Sequence, residues 1–226
     1  MSVSSERPPT RHIVWDWNGT LLADNEAVVA SVNAVCAAYD AEPVDLPGWR
    51  AVFGRPLRDS YERVLGREID QRDWRAIDRI YHDAYRRLLH TCELDPEAPH
   101  ALREWRERGG SQSLLSMFFH DELVPLVERF GLSSMFGRID GLRDSEVGGS
   151  KAAYLDAHLR SLRLEPSEAV VIGDVTDDAR AAAEVGAECV LVSTGVMSRA
   201  ALESTGRPVA DSLRVAVSRI TPAMVR

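Results

Sequence analysis

The chain has few means of stapling itself together. Its cysteines, Cys36, Cys92 and Cys189, are odd in number and far apart, with no CxxC pair. Neither a disulfide framework nor a zinc site is expected, and reduced thiols in a cytoplasmic protein are. No apolar run approaches the roughly 20 residues that span a bilayer. The start of the chain is polar, carries Pro8-Pro9 and has no apolar segment, so residues 1–11 read as a disordered tail and not as a secretory signal. Excess positive charge is lacking too. Against 27 Lys+Arg stand 35 Asp+Glu, a formal net charge of −8, which argues against nucleic-acid or membrane partners. An acidic chain can still bind a small phosphorylated molecule if local donors and a metal offset the repulsion.

What is present suits a globular protein. The 226 residues are 45% apolar and 27% charged, enough for one α/β domain with a smaller insert. Ile13-Val14-Trp15 reads as a buried strand ending at Asp16, and the Asn18-Gly19 pair then turns the chain. From Asn25 to Tyr39 apolar residues recur at helical spacing, and they do so again after Gly66, from Trp74 to Leu89. Pro43, Pro47 and Gly48 mark a loop between these stretches, and nothing from Asn25 to Thr91 reads as a strand.

Beyond Pro99 the pattern alternates. Residues 99–108 read as a helix, Ser113 to Phe118 as a strand, 120–130 as a helix and Arg138 to Gly141 as a short strand. Ser150 suits the N-cap of a helix running to about Leu162. Ala169 to Ile172 is a strand covered on both faces, followed by an alanine-rich helix to Gly186 and a strand from Cys189 to Val192. Residues 198–204 and 212–220 read as helices. Repeated strand–helix units predict an α/β fold with a parallel sheet, interrupted after its first strand by a helical block.

Ligands of open parallel sheets gather at the carboxyl ends of the strands. Four polar places follow apolar runs: Asp16 with Asn18 and Thr20; Ser116; Lys151; and Asp174 with Asp177 and Asp178. Each alone has an ordinary explanation: an N-cap, a satisfied hydroxyl, a solvated ammonium, a favourable charge at a helix start. Together they bring carboxylates, a hydroxyl and an ammonium to one rim. Carboxylates suit a hard cation such as Mg²⁺. Ser116 and Lys151 can hydrogen-bond phosphate oxygens, and the turn after Asp16 can present backbone N–H groups to an anion.

These residues carry a family resemblance. Asp16-Trp17-Asn18-Gly19-Thr20 resembles motif I of the haloacid dehalogenase superfamily, DxDGT, with Asn at its third position. Ser116, Lys151 and the stretch from Gly173-Asp174 to Asp177-Asp178 are similar to motifs II, III and IV, in the same order. The resemblance implies a Rossmann-like core over 12–21 and 95–226 and a helical cap over 22–94, as in phosphoglycolate-phosphatase-like members. It implies a Mg²⁺-dependent phosphatase of a small phosphorylated metabolite, working through an aspartyl-phosphate as a monomer or homodimer. Asp16 would be the nucleophile, and Asp16, Asn18 (through its backbone carbonyl), Asp174 and Asp178 would hold the metal. Trp17, Gly19, Thr20, Ser116, Met117, Lys151 and the cap's Arg55 would meet phosphate or substrate. Arg58 lies near Arg55 in a loop-like stretch.

Asn18 departs from the motif, because the family's phosphatases have a second Asp there as general acid and base. An amide does not exchange protons near neutral pH. Three readings stay open: a slow phosphatase favouring good leaving groups such as acyl phosphates; a branch in which substrate, water or another residue, His120 among the candidates, handles the proton; or a weakly catalytic phospho-ligand binder. A dehalogenase would not need Asp174 and Asp178, and a phosphonate hydrolase would need a cap lysine, of which 22–94 has none.

Overall fold

The computed structural model describes residues 11–143 and 150–220. Residues 1–10 of the expected tail, and the Gly148-Gly149 pair before Ser150, lie outside the described residues. Arg11, assigned to the tail, is tied down instead: its N–H donates to Glu168 O at 2.9 Å and its carbonyl accepts from Ser111 N–H at 3.0 Å.

The chain opens with strand β1 (His12–Trp15) and a short β2 (Leu22–Ala23), then helices α1 (Asn25–Ala38), α2 (Leu46–Val52), α3 (Leu57–Leu65) and α4 (Gln71–Leu88). A short β3 (Glu93–Leu94) pairs antiparallel with β2, at the point where the helical block leaves and rejoins the rest. Then follow α5 (Ala98–Glu107), β4 (Ser111–Phe119), α6 (His120–Arg129), β5 (Ile139–Leu142), α7 (Lys151–Leu162) and β6 (Ala169–Gly173). The chain continues through α8 (Thr176–Val185), β7 (Glu188–Val192), α9 (Arg199–Glu203), β8 (Val209–Ala210) and α10 (Leu213–Ser218).

The main sheet has six strands in the order β5-β4-β1-β6-β7-β8, every pairing parallel. This is the Rossmann-like α/β architecture expected. Strand alternation builds two cores. Ile13, Trp15, Leu114 and Ile172 face one side, packed with α5, α10 and the helical block, while Val14, Leu115 and Val171 face the side covered by α7 and α8. β1 is the switch: the chain moves from it to β4 and β5 on one side, then crosses to β6 on the other. The carboxyl end of β1 is therefore where a crevice opens.

Two local expectations fail. The stretch with Pro47 and Gly48 is helix α2, not loop. Asp45 caps it, accepting from Gly48 N–H at 2.7 Å, and Pro47 lies in the first turn, where no N–H is needed. Arg58 lies in α3, not in a loop. β2, β3 and β8 are two residues each, too short for a period to register.

A buried polar chain crosses β1, β4 and β5 near their amino ends. His158 Nδ1 is 2.7 Å from Asp140 Oδ2, its Nε2 is 2.7 Å from Ser113 Oγ, and Ser113 Oγ is 2.7 Å from His12 Nε2. A carboxylate only accepts, so His158 donates to Asp140 and its other nitrogen accepts from Ser113. Ser113 must then accept from His12. The order holds only while His158 is neutral, because its Nε2 must accept.

Burial, aided by His158, pushes the His12 pKa down to about 4, and burial also lowers that of His158. The folded state thus binds fewer protons than the unfolded chain between about pH 4 and 6.5. Stability contributed by His12 is complete above the unfolded value and is lost as pH falls through that window, by about 1.4 kcal/mol per pH unit. Urea midpoints measured at pH 7 and pH 5 should fall on acidification, and fall less in His12→Gln. An equal fall in both proteins would show that His12 is not the group responsible.

Candidate active site

The crevice at the end of β1 collects its side chains from four segments. Asp16 follows β1, its N–H continuing the ladder to Ile172 O at 2.9 Å. Ser116 lies within β4, Lys151 opens α7, Asp174 follows β6, and Asp178 is in the first turn of α8. All five are buried. Among the described residues, Asp16, Asp174 and Asp178 form a cluster able to hold a metal ion, with one ligand atom from each within 4.8 Å of the others. Lys151 Nζ is 3.1 Å from Asp16 Oδ1 and also pairs with Asp178 Oδ1.

The electrostatics show a site short of positive charge. Burial raises the pKa of Asp16; Lys151 opposes the rise and Asp178 adds to it. Burial raises that of Asp174 well above the ordinary value, reinforced by Asp16, Asp178 and Asp24. Burial works against the Lys151 charge, yet Asp16 and Asp178 outweigh it and hold the ammonium firmly protonated. One ammonium does not balance this many buried carboxylates, so the donor set fits a hard divalent cation.

Glycines allow this crowding. Gly19 has φ +69°, and a Cβ there would lie 2.4 Å from Asp174 Oδ2. A Cβ on Gly195 would lie 1.7 Å from the same oxygen, and one on Gly173 2.1 Å from Asp178 Oδ2. Thr20 Oγ1 donates to Asp174 Oδ1 at 3.0 Å and orients it.

The turn after Asp16 corrects part of the expected phosphate cradle. Gly19 N–H is already bonded to Asp24 Oδ1 at 2.8 Å and to Leu22 O at 3.0 Å, and Thr20 N–H to Trp17 O at 3.2 Å. Gly19 and Thr20 therefore build the turn and steady Asp174, and their N–H groups are taken up within the chain's own turn. The Trp17 indole is in the core beside Phe130, ring centroids 6.2 Å apart. Its backbone N–H favours the ionised form of Asp16. Ser116 Oγ accepts from Phe118 N–H at 3.1 Å, and Met117, next to it, is half-buried.

Arg55 reaches the rim from the helical block, 3.3 Å from Asp177 Oδ2. Arg58 turns instead to Gln71 and Trp74. His120 accepts Gly141 N–H at 3.3 Å, which commits its Nδ1 to the backbone of β5.

Sequence reasoning missed three groups. Asp24 is buried and accepts from the Asn18 amide at 2.9 Å and from the Tyr85 hydroxyl at 2.5 Å. Thr194 and Gly195 follow β7; Thr194 Oγ1 donates to Gly19 O at 2.7 Å. Arg50 of α2 donates to Gly195 O, its Nε at 3.0 Å. Thr194 and Gly195 were within reach of the same strand-end rule that singled out Asp174. Tyr85 looked like one more apolar position on a buried helix face.

A parallel α/β sheet with a helical insert, and buried carboxylates around a lysine at its switch point, fit a hydrolase of the haloacid dehalogenase class. The model of the haloacid dehalogenase-like hydrolase family matches residues 10–186, and the chain belongs to that family. It is a hydrolase of that family. It is 22% identical over 206 residues to phosphoglycolate phosphatase 1 of Pseudomonas aeruginosa, covering 89% of this chain and 73% of the relative. It is 26% identical over 196 residues to phosphoglycolate phosphatase of Synechococcus elongatus, covering 84% and 87%. Pyrophosphatase PpaX of Anoxybacillus flavithermus is 22% identical over 189 residues, covering 83% and 85%. The fold is shared with a haloacid dehalogenase-like hydrolase from Streptococcus pneumoniae, at TM-score 0.78 and 18% identity over 93% of this chain and 98% of that one. Phosphatases of the family generally use Mg²⁺. No helix among the described residues is long and apolar enough to cross a membrane.

Loss of the Thr20 hydroxyl should loosen Asp174. Thr20→Val is expected to weaken Mg²⁺ binding by about 10- to 100-fold, read by isothermal titration. Unchanged affinity would remove Thr20 from the metal-holding set.

Proposed function

We propose that the protein is a Mg²⁺-dependent phosphohydrolase of a small phosphorylated metabolite, with Asp16 as nucleophile and the helical segment 22–94 as a cap over a core of 12–21 and 95–226. The observation that carries this reading is the buried cluster of Asp16, Asp174 and Asp178 closed by Lys151. The metal would be held by Asp16, Asp174 and the Asn18 carbonyl, with Asp178 beside them. The Asn18 carbonyl takes no hydrogen bond among the described residues, which suits it to that role. The metal would supply the positive charge that lets a phosphate approach a carboxylate.

The remaining work falls to the chain's own side chains. Asp16 attacks phosphorus and becomes an aspartyl-phosphate, which water then opens. Lys151 fixes the free oxygen of Asp16 and donates to the phosphoryl group, and the Ser116 hydroxyl donates to a second phosphoryl oxygen. Arg55 at the rim is suited to a further anionic group on the substrate. Support for a seated cap comes from contacts on several sides of the crevice: Arg50 to Gly195 O, Arg55 to Asp177, Arg86 to Glu122 at 3.1 Å and the Tyr85 hydroxyl to Asn18 Nδ2. A seated cap keeps water away from the aspartyl-phosphate until its turn.

Asp16→Asn should abolish Mg²⁺-dependent phosphate release from a panel of phosphomonoesters, acyl phosphates and pyrophosphate, and activity surviving in that variant would refute the nucleophile assignment. Asn18→Asp should raise turnover of an alkyl phosphate by about tenfold or more, because general acid–base assistance is worth ~10² to 10⁴ in rate. Steady-state kinetics with both proteins decides this, and the absence of a gain would mean that position 18 does not limit the reaction.

A further inference from the structure

The residue that departs from the family motif is not simply an empty place. Asn18 Nδ2 donates to Asp24 Oδ2 at 2.9 Å and to the Tyr85 hydroxyl oxygen at 2.6 Å. Tyr85 in turn donates to Asp24 Oδ2 at 2.5 Å, and Asp24 Oδ1 takes Gly19 N–H at 2.8 Å. Asp24 Oδ2 accepts both from Tyr85 and from Asn18, so the atom of Asn18 that faces it is the NH₂ group. The amide oxygen must then point the other way. It has no partner among the described residues and is not among the buried unpaired atoms, and Asn18 is half-buried where Asp16, Thr20 and Asp24 are buried. Asp24 ahead of α1 and Tyr85 on α4 thus engage the NH₂ group and leave the amide oxygen unpaired, two residues from Asp16.

We propose that Asp24 and Tyr85 lock the Asn18 carboxamide with its oxygen forward, and that this restricts the site to phosphoric anhydrides, acyl phosphates or pyrophosphate-type compounds, whose leaving group departs as an anion. The proposal rests on the hydrolase reading above.

When Asp16 bonds to phosphorus, the bond from phosphorus to the leaving oxygen breaks and its electron pair stays on that oxygen. The locked amide has no proton directed at it. A carboxylate or a phosphate carries the charge stably, whereas an alkoxide does not. In the second step a water oxygen bonds to phosphorus, the bond to Asp16 breaks and its electron pair returns to the carboxylate. The water proton passes to a phosphate oxygen. The Asn18 oxygen accepts a hydrogen bond from that water and aims it without taking the proton. Asp24 and Tyr85 touch neither substrate nor water in this scheme and act as positioning residues.

Two measurements test it. In the metal-free protein, the side-chain amide protons of Asn18 should exchange slowly with solvent by NMR, and Tyr85→Phe and Asp24→Asn should each speed that exchange. Fast exchange in the parent protein would overturn the lock. With Mg²⁺, kcat/KM for acetyl phosphate or pyrophosphate should exceed that for an alkyl phosphate by about 100-fold or more, the range that missing general-acid assistance implies. Tyr85→Phe should lower kcat on the anhydride by about tenfold with little change in KM, as expected for a misaimed group. Comparable rates on alkyl phosphate and anhydride, with the amide still protected, would overturn the substrate class while leaving the hydrolase intact. No turnover on either class would overturn the hydrolase reading, and the exchange rates would still decide the lock.

Discussion

Packing carboxylates around one ammonium out of contact with water is the constraint on which the rest of the molecule depends. Asp16, Asp174 and Asp178 each occupy the end of a strand or the first turn of a helix, so the parallel sheet exists in part to hold like charges where solution would drive them apart. Lys151 relieves that repulsion for Asp16 and Asp178. It is the single lysine among 27 basic residues. Everywhere else the chain uses arginine, and here it does not, which has a physical reason. A compact ammonium fits between two buried carboxylates, where the broad planar fork of a guanidinium needs more room. Glycines at 19, 173 and 195 remove the side-chain bulk that would otherwise collide with the acids.

Motif I of the family's phosphatases carries a second Asp where this chain has Asn18. This chain instead builds a fixed amide there, held by a carboxylate and a phenol. Burial raises the pKa of Asp24, and the hydroxyl of Tyr85, the Asn18 amide and Gly19 N–H each lower it again. These donors leave Asp24 fully engaged in hydrogen bonds. Position 18 therefore belongs to the turn architecture as much as to the reaction.

The sheet was legible in the sequence because its strands are continuous apolar runs, and the site because polar residues follow those runs. Asp16 and Asp174 stood directly after such runs, and they meet Lys151 and Asp178, from the first turns of two helices, in the fold. Helix α2 was hidden because Pro47 and Gly48 look like loop residues unless Asp45 is seen as a cap. The Asn18–Asp24–Tyr85 arrangement was hidden for a different reason. Tyr85 lies 61 residues from Asp24, and no local period announces which buried tyrosine will meet which buried acid. The N–H groups of Gly19 and Thr20 could not be read ahead either, because a turn this tight consumes its own donors.

The Thr194–Gly195 turn touches both halves of the molecule at once. Its glycine lies against the carboxylate of Asp174, its carbonyls receive Arg50 from α2 and Asn25 from α1, and its threonine holds Gly19. Lifting the helical block would strip those bonds from the very turn that walls in Asp174. Free-energy coupling of this kind is reciprocal. Whatever steadies the acids of the core makes the helices harder to raise, and whatever raises the helices loosens the acids, so occupancy and opening form one equilibrium.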